Sequence, residues 1–224
     1  MARQTAAVMD GKIDRAERNR RATRAKLIDA AERVMANKGV DGTTIADITG
    51  EADVATGSFY NHFKSKSDVA EVVFLRHAEE QARVNEVIFA HERDPAQAVC
   101  YIQKQFLTRA LADPLWGWFV VHATTDMRQL ASAFTRSATE HIERGQAAGR
   151  FNSPCVDAAV RIILLALIGA MRDMLEGKRD ASWADSIVQS LLQMLGIPAG
   201  EARALVAVPL PDDLIALLDL PHTA

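Results

Sequence analysis

Residues 43–63 constrain the fold most. Thr43-Thr44-Ile45-Ala46-Asp47-Ile48 and Gly57-Ser58-Phe59-Tyr60-Asn61-His62-Phe63 read as two short helices joined by a tight turn. Phe59 and Phe63 are four residues apart and share a helical face. With Ile45, Ile48, Val54 and an amphipathic helix before them, they can close a small three-helix core. Thr56, Tyr60 and Asn61 then lie away from that core. A short helix exposing such groups fits the width of a major groove. The same pattern also suits a helical cap whose polar residues are only solvated, and context must choose between the two.

The rest of the chain supplies helices and no convincing strand alternation. Leu27, Ile28, Ala31, Val34 and Met35 fall on one helical face, and Gly39 is placed to stop that helix. Thr44-x-x-Asp47 and Ser65-x-x-Asp68 are capping boxes, the second opening a long helix to about His91. Asp94-Pro95 and Asp113-Pro114 each break the chain and start a new helix. Further helices are expected over 115–124, 129–148, 156–176 and 183–195, with short ones near 200–206 and 212–218. The expected fold class is all-α: a basic N-terminal tail and helix-turn-helix unit over 1–66, and a larger helical unit over 67–224.

Charge divides the chain unevenly. The net charge is −3, yet the first 26 residues carry eight basic and three acidic side chains, a net +5 that leaves −8 for the remainder. A basic head on an acidic body suggests a localised polyanion contact, although a solvated tail has the same composition. Residues before about 15 are expected to be disordered without a partner. The longest apolar run, Ile162 to Met171, is ten residues, too short to span a bilayer. No leader segment is visible, and the isolated Cys100 and Cys155 suit a reducing compartment, so a cytoplasmic protein without membrane contact is expected.

Leu27-Ile28-Asp29-Ala30-Ala31 with Gly39, Thr44-Ile45-Ala46-Asp47-Ile48, and Gly57-Ser58-Phe59-Tyr60-Asn61-His62-Phe63-Lys64-Ser65-Lys66 together resemble the tetracycline-repressor (TetR) family of bacterial transcription regulators, over about residues 20–75. The resemblance implies that Thr44 caps the second helix and touches a phosphate, and that Thr56, Gly57 and Ser58 occupy the base-reading start of the recognition helix. It places Tyr60, His62 and Lys66 at backbone-holding positions, Tyr60 also within reach of a base, and Asn61 at a variable one. Arg18, Arg20, Arg21 and Arg24 become candidates for phosphate or minor-groove contact. Two positions depart from the family's pattern. Asp53 stands where Gly is usual in the turn, and Asp tolerates a left-handed conformation better than most residues. Ala55 stands where a Ser or Thr cap is usual, which leaves open whether Ala55 or Thr56 starts the helix.

The larger unit contains the aromatic-rich segment Leu115-Trp116-Gly117-Trp118-Phe119-Val120-Val121-His122, on which Phe106, Met127 and Phe134 can converge. By itself this reads as a plain aromatic core. The resemblance adds a second reading: Phe106, Trp116, Phe119, His122 and Phe134 enclose an apolar or aromatic small-molecule effector that releases a repressor from its operator. The helix over 156–176 is apolar nearly all round, and with the next helix the resemblance implies a homodimer reading a palindromic double-stranded operator. An enzyme is not expected. The six histidines have no metal-ligand spacing, and no nucleophile elbow, phosphate loop or dinucleotide fingerprint occurs, so neither cofactor nor metal is expected. A nonspecific architectural DNA binder is disfavoured by the acidic body and the short, defined recognition segment.

Overall fold

The computed structural model describes the backbone of residues 2–126, 131–212 and 216, and the side chains of 15–124, 135–180, 182–212 and 216. Among these residues the chain is helical throughout, without strands. Its elements are α1 (Ala2–Gly42), α2 (Ile45–Glu51), α3 (Thr56–Phe59), α4 (Lys66–His91), α5 (Pro95–Ala112), α6 (Pro114–Asp126), α7 (Ala131–Ala147), α8 (Val156–Leu175), α9 (Ala181–Met194) and α10 (Ala199–Ala207).

Local chemistry sets most of these boundaries. Gly39 stops the regular part of α1 at φ 74°, and Thr43 Oγ1 donates to its carbonyl at 2.7 Å. Thr44 and Asp47 form the reciprocal capping box of α2. At α4 the Ser65 hydroxyl accepts from Asp68 N–H, while Asp68 reaches back to the Lys64 N–H. Asp94 caps α5, with Pro95 in its first turn. The sequence expectations for α4 to α10 therefore hold to within a few residues, whereas the helix expected near 212–218 lies mostly outside the described residues.

The N-terminal stretch differs from expectation. The α1 helix extends back to Ala2. Residues 2–26 hold six Ala and six Arg and contain no proline, a composition that favours helix despite Gly11.

Two apolar clusters organise the molecule. The first joins Leu27, Ala31 and Met35 of α1 to Ile48, Phe59, Phe63 and the first half of α4, and takes in Phe119 and Ala123 of α6. The second is built on α5, α6, α8 and α9 and takes in Ile88 and Phe89 at the end of α4. The boundary read at residues 66 and 67 thus falls at the start of a helix whose two halves serve different cores.

Candidate nucleic-acid interface and effector cavity

The α2–α3 unit is held from within. Phe59 and Phe63 are buried, their ring centroids 5.6 Å apart, and Ile48 packs with them. The turn between the helices places Asp53 at φ 53°, the one non-glycine positive φ among the described residues. Ala55 is the N-cap of α3 and makes no side-chain cap bond, so α3 starts at Thr56. Thr56 Oγ1 lies 3.3 Å from Thr49 Oγ1, which ties the first turn of α3 to α2.

This core leaves a polar face outward. Thr44, Thr56, Gly57 and Asn61 are exposed, Ser58 and His62 are half-buried, and Tyr60 is 60% exposed with its ring edge-on to Phe59. Arg20 of α1 joins Ser58, Asn61 and His62 around one hollow between α1 and α3. Burial and the charges of Arg20 and Arg24 hold the His62 imidazole below its ordinary pKa. Arg24 stacks its guanidinium over Phe63 at 5.0 Å, and Arg21 pairs with Glu17 at 3.1 Å. In the free protein these two arginines are thus partly engaged.

Lys66 departs from its expected place. Its ammonium donates to the carbonyls of Asp41 at 2.8 Å and Thr43 at 3.0 Å. It clamps the α1–α2 connection onto the start of α4 and is not a free cation awaiting a phosphate. The negative end of α1 explains the attraction. Thr44 is engaged as well. Its hydroxyl caps α2 through Asp47, whose carboxyl is held at a pKa of about 2 by bonds from Lys38 and Thr44.

The constellation expected around α6 does not assemble. Phe106 lines a cavity, but Trp116 sits behind it, fully buried against the Phe106 ring at 5.2 Å and under Arg109 at 4.4 Å. Phe119 belongs to the N-terminal cluster and packs on His77 at 5.6 Å. His122 is half-buried and stacks on Trp118. The side chains of Met127 and Phe134 lie outside the described residues. The physical reason is the direction of α6: its aromatic faces are consumed in joining the two cores.

The cavity lies instead among α4, α5, α7 and α8, with an interior volume of about 70 Å³. Phe106, Ile102, Ile142, Val160, Ile163 and Leu167 give it apolar walls, while Gln81, Asn85, Gln103 and His141 give it polar groups. The sequence reading missed these four. The available signal was on α4: His77, Gln81 and Asn85 follow Val73 at four-residue intervals on a stripe that is otherwise apolar. Burial lowers the His141 pKa, opposed by Glu86. Among the described residues no three acidic, histidine or cysteine side chains gather as metal ligands, and no helix is long and apolar enough to cross a membrane.

An ionic chain links α1, α4 and α5, with Glu32, His77 and Arg109 buried and Arg76 and Glu80 partly exposed. Glu32 of α1 meets both Arg76 and His77 Nε2 of α4, the latter at 2.7 Å. Glu80 lies 3.6 Å from His77 Nδ1 and 2.5 Å from Arg109 of α5. Burial opposes the charged imidazole, but its hydrogen bonds to the carboxylates of Glu32 and Glu80 outweigh it and raise the His77 pKa.

Elsewhere, α8 buries Ala159, Val160, Ile163 and Leu167 but leaves Ile162 and Leu165 exposed by 50% and 67%. Beside them the position a Gly169 side chain would occupy is open. On α9 the hydroxyls of Ser186 and Ser190 donate to carbonyls one turn before them.

This architecture matches known proteins in both halves. A family model described as "Bacterial regulatory proteins, tetR family" matches residues 27–73, and one described as "Tetracyclin repressor-like, C-terminal domain" matches residues 94–208. The chain belongs to the TetR family. It is similar to the HTH-type transcriptional regulator TtgR of Pseudomonas putida, 42% identical over 55 residues that make up 25% of this chain and 26% of that one. It is also similar to the HTH-type transcriptional repressor DhaR of a Mycobacterium species, 44% identical over 43 residues, 19% of this chain and 22% of that one. These matches span only about a quarter of the curated relatives' length. Among solved structures, RolR in complex with resorcinol superposes with a TM-score of 0.68 at 28% identity, over 87% of this chain and 98% of that one. The Bacillus subtilis regulator FadR in complex with stearoyl-CoA gives 0.64 at 16% identity over 76% and 98%, a likeness of fold alone.

Proposed function

We propose that this TetR-family protein is a cytoplasmic, homodimeric transcription regulator, a repressor that leaves its double-stranded operator when a small molecule enters the cavity among α4, α5, α7 and α8. The observation that carries the DNA half is the outward face of α3: exposed polar and aromatic groups on a rigid core, beside the arginines of α1. In this reading Thr56, Gly57 and Ser58 approach base edges. Thr44, Tyr60, Asn61 and His62 hold the strand, and Arg20, Arg21 and Arg24 contact phosphates. One such unit reads few base pairs, so two protomers and a palindromic site follow. The exposed Ile162 and Leu165 and the open space at Gly169 support a partner helix against α8.

The effector half rests on the cavity and on the likeness to RolR, which was solved with resorcinol. An effector works only if it binds the DNA-releasing conformation more tightly than the DNA-bound one. The α4 helix is the element both sites share, through Gln81 and Asn85 at the cavity and His77 toward α1.

The test is fluorescence anisotropy with the full chain and DNA selected from a random library. Tyr60→Phe with Arg20→Ala should weaken binding by about tenfold or more and reduce the salt dependence, with an unchanged melting temperature. Unchanged affinity counts against the assignment of this face.

A further inference from the structure

The polar groups of the cavity are unusually placed for a site meant to be only greasy. Gln81 and Gln103 are 3% and 2% exposed. The Gln81 amide nitrogen donates to Asn85 Oδ1 and to Gln105 Oε1, each at 2.8 Å, and its Oε1 has no partner among the described residues. Among the described residues Gln103 makes no hydrogen bond through either end of its amide. Buried amides are normally satisfied, and groups left open at a cavity wall mark where a bound molecule supplies the missing partners. The two amides come from neighbouring helices, α4 and α5.

Charge and size narrow the molecule further. Among the described lining residues none is Asp, Glu, Lys or Arg. The titratable group there, His141, is pushed toward its neutral form by burial, against the opposing pull of Glu86. A carboxylate would enter this space without a counter-charge and lose its hydration. A hydroxyl suits both amides, since it donates to an open carbonyl and accepts from an open N–H. A cavity of about 70 Å³ is smaller than the ~150 Å³ engineered cavity known to take one benzene ring. One ring therefore already has to widen it.

We propose that the effector is an uncharged, single-ring-sized molecule carrying at least two hydroxyl-type hydrogen-bonding groups, one satisfying Gln81 and the other Gln103. This rests on the reading of the cavity as the effector site. Gln81 and Gln103 are then its specificity-determining residues, and the apolar walls set only its thickness.

The test is isothermal titration of the full chain with benzene-1,3-diol, phenol, toluene and benzoate, on the wild type, Gln103→Leu and the cavity-blocking Leu164→Trp. The diol should bind best, and toluene at least about tenfold more weakly. Gln103→Leu exchanges an unpartnered amide for an apolar group of similar size. It should weaken diol binding by at least about tenfold, leave toluene no worse, and melt no lower than the wild type. Leu164→Trp should abolish binding. Toluene or benzoate binding best, and being lost in Leu164→Trp, overturns the ligand class while leaving the cavity as the effector site. Binding undiminished in Leu164→Trp overturns the cavity itself. Diol affinity unchanged in Gln103→Leu, or no binding of any probe, overturns the proposal.

Discussion

Replacing Lys66 by Ala tests whether the recognition unit is fixed by a clamp onto α4. The ammonium donates two hydrogen bonds, to Asp41 O at 2.8 Å and Thr43 O at 3.0 Å, across more than twenty residues of sequence. A sheltered bond from a charged donor is worth roughly 1.5–3 kcal/mol. Lys66 is half-buried, and water replaces part of what is lost, so roughly 0.5–1 kcal/mol per bond is the better figure, about 1–2 kcal/mol in all. For a chain of 224 residues each kcal/mol moves the melting temperature by roughly 2–4 °C, giving a fall of about 2–8 °C. Lys66→Met retains the stem and loses the donors, so it should fall by a similar amount, while Lys66→Arg should recover part of the loss. Circular dichroism melts of the full chain provide the assay. A melting temperature for Lys66→Ala within about 1 °C of wild type refutes the clamp, since the loss expected is at least twice that.

Three further outcomes follow from other contacts. Asp53→Val puts a β-branched side chain at φ 53° and should cost roughly 1–2 kcal/mol in urea denaturation, whereas Asp53→Gly should cost nothing. Gly169→Leu meets open space within its own protomer, so it should leave the helical signal intact and weaken dimerisation by at least about tenfold in analytical ultracentrifugation. The raised pKa of His77 makes its contribution to stability complete below the unfolded value of about 6.5 and lost as pH rises through the folded value. Denaturation of the wild type against His77→Asn should therefore show a stability difference that shrinks as pH rises from about 6.5.

The parts of the fold that were legible in the sequence are those set by neighbours in the chain. The Thr44–Asp47 and Ser65–Asp68 caps, the stop at Gly39 and the start at Asp94-Pro95 all act within a few residues. The outward direction of Tyr60 and Asn61 followed from the buried pair Phe59 and Phe63 by helical spacing alone. What was not legible depends on which helix lies beside which. Lys66 looked free because its partners are carbonyls 25 and 23 residues away, and backbone acceptors leave no signature in sequence. Trp116 and Phe119 looked like cavity walls, but the packing of α6 against α1 and α8 turned them into core. The cavity's polar groups were visible as Gln81 and Asn85 on the buried stripe of α4, a signal weaker to the eye than a cluster of aromatics. The charge of the basic head was legible from composition, while its helical backbone follows from the helix propensity of Ala, Arg and Lys.

The central claim is that the α3 face reads sequence in double-stranded DNA as a pair. Its most direct test is selection of bound fragments from a random double-stranded library by the full chain, sequenced beside the same selection with a Tyr60→Ala, Asn61→Ala variant. The account predicts that the wild type enriches one motif with two-fold symmetry, its half-sites about one helical turn or a multiple apart, and that the variant loses the enrichment while remaining folded. Recovery of DNA without any shared motif, or the same motif enriched equally by the variant, would contradict it.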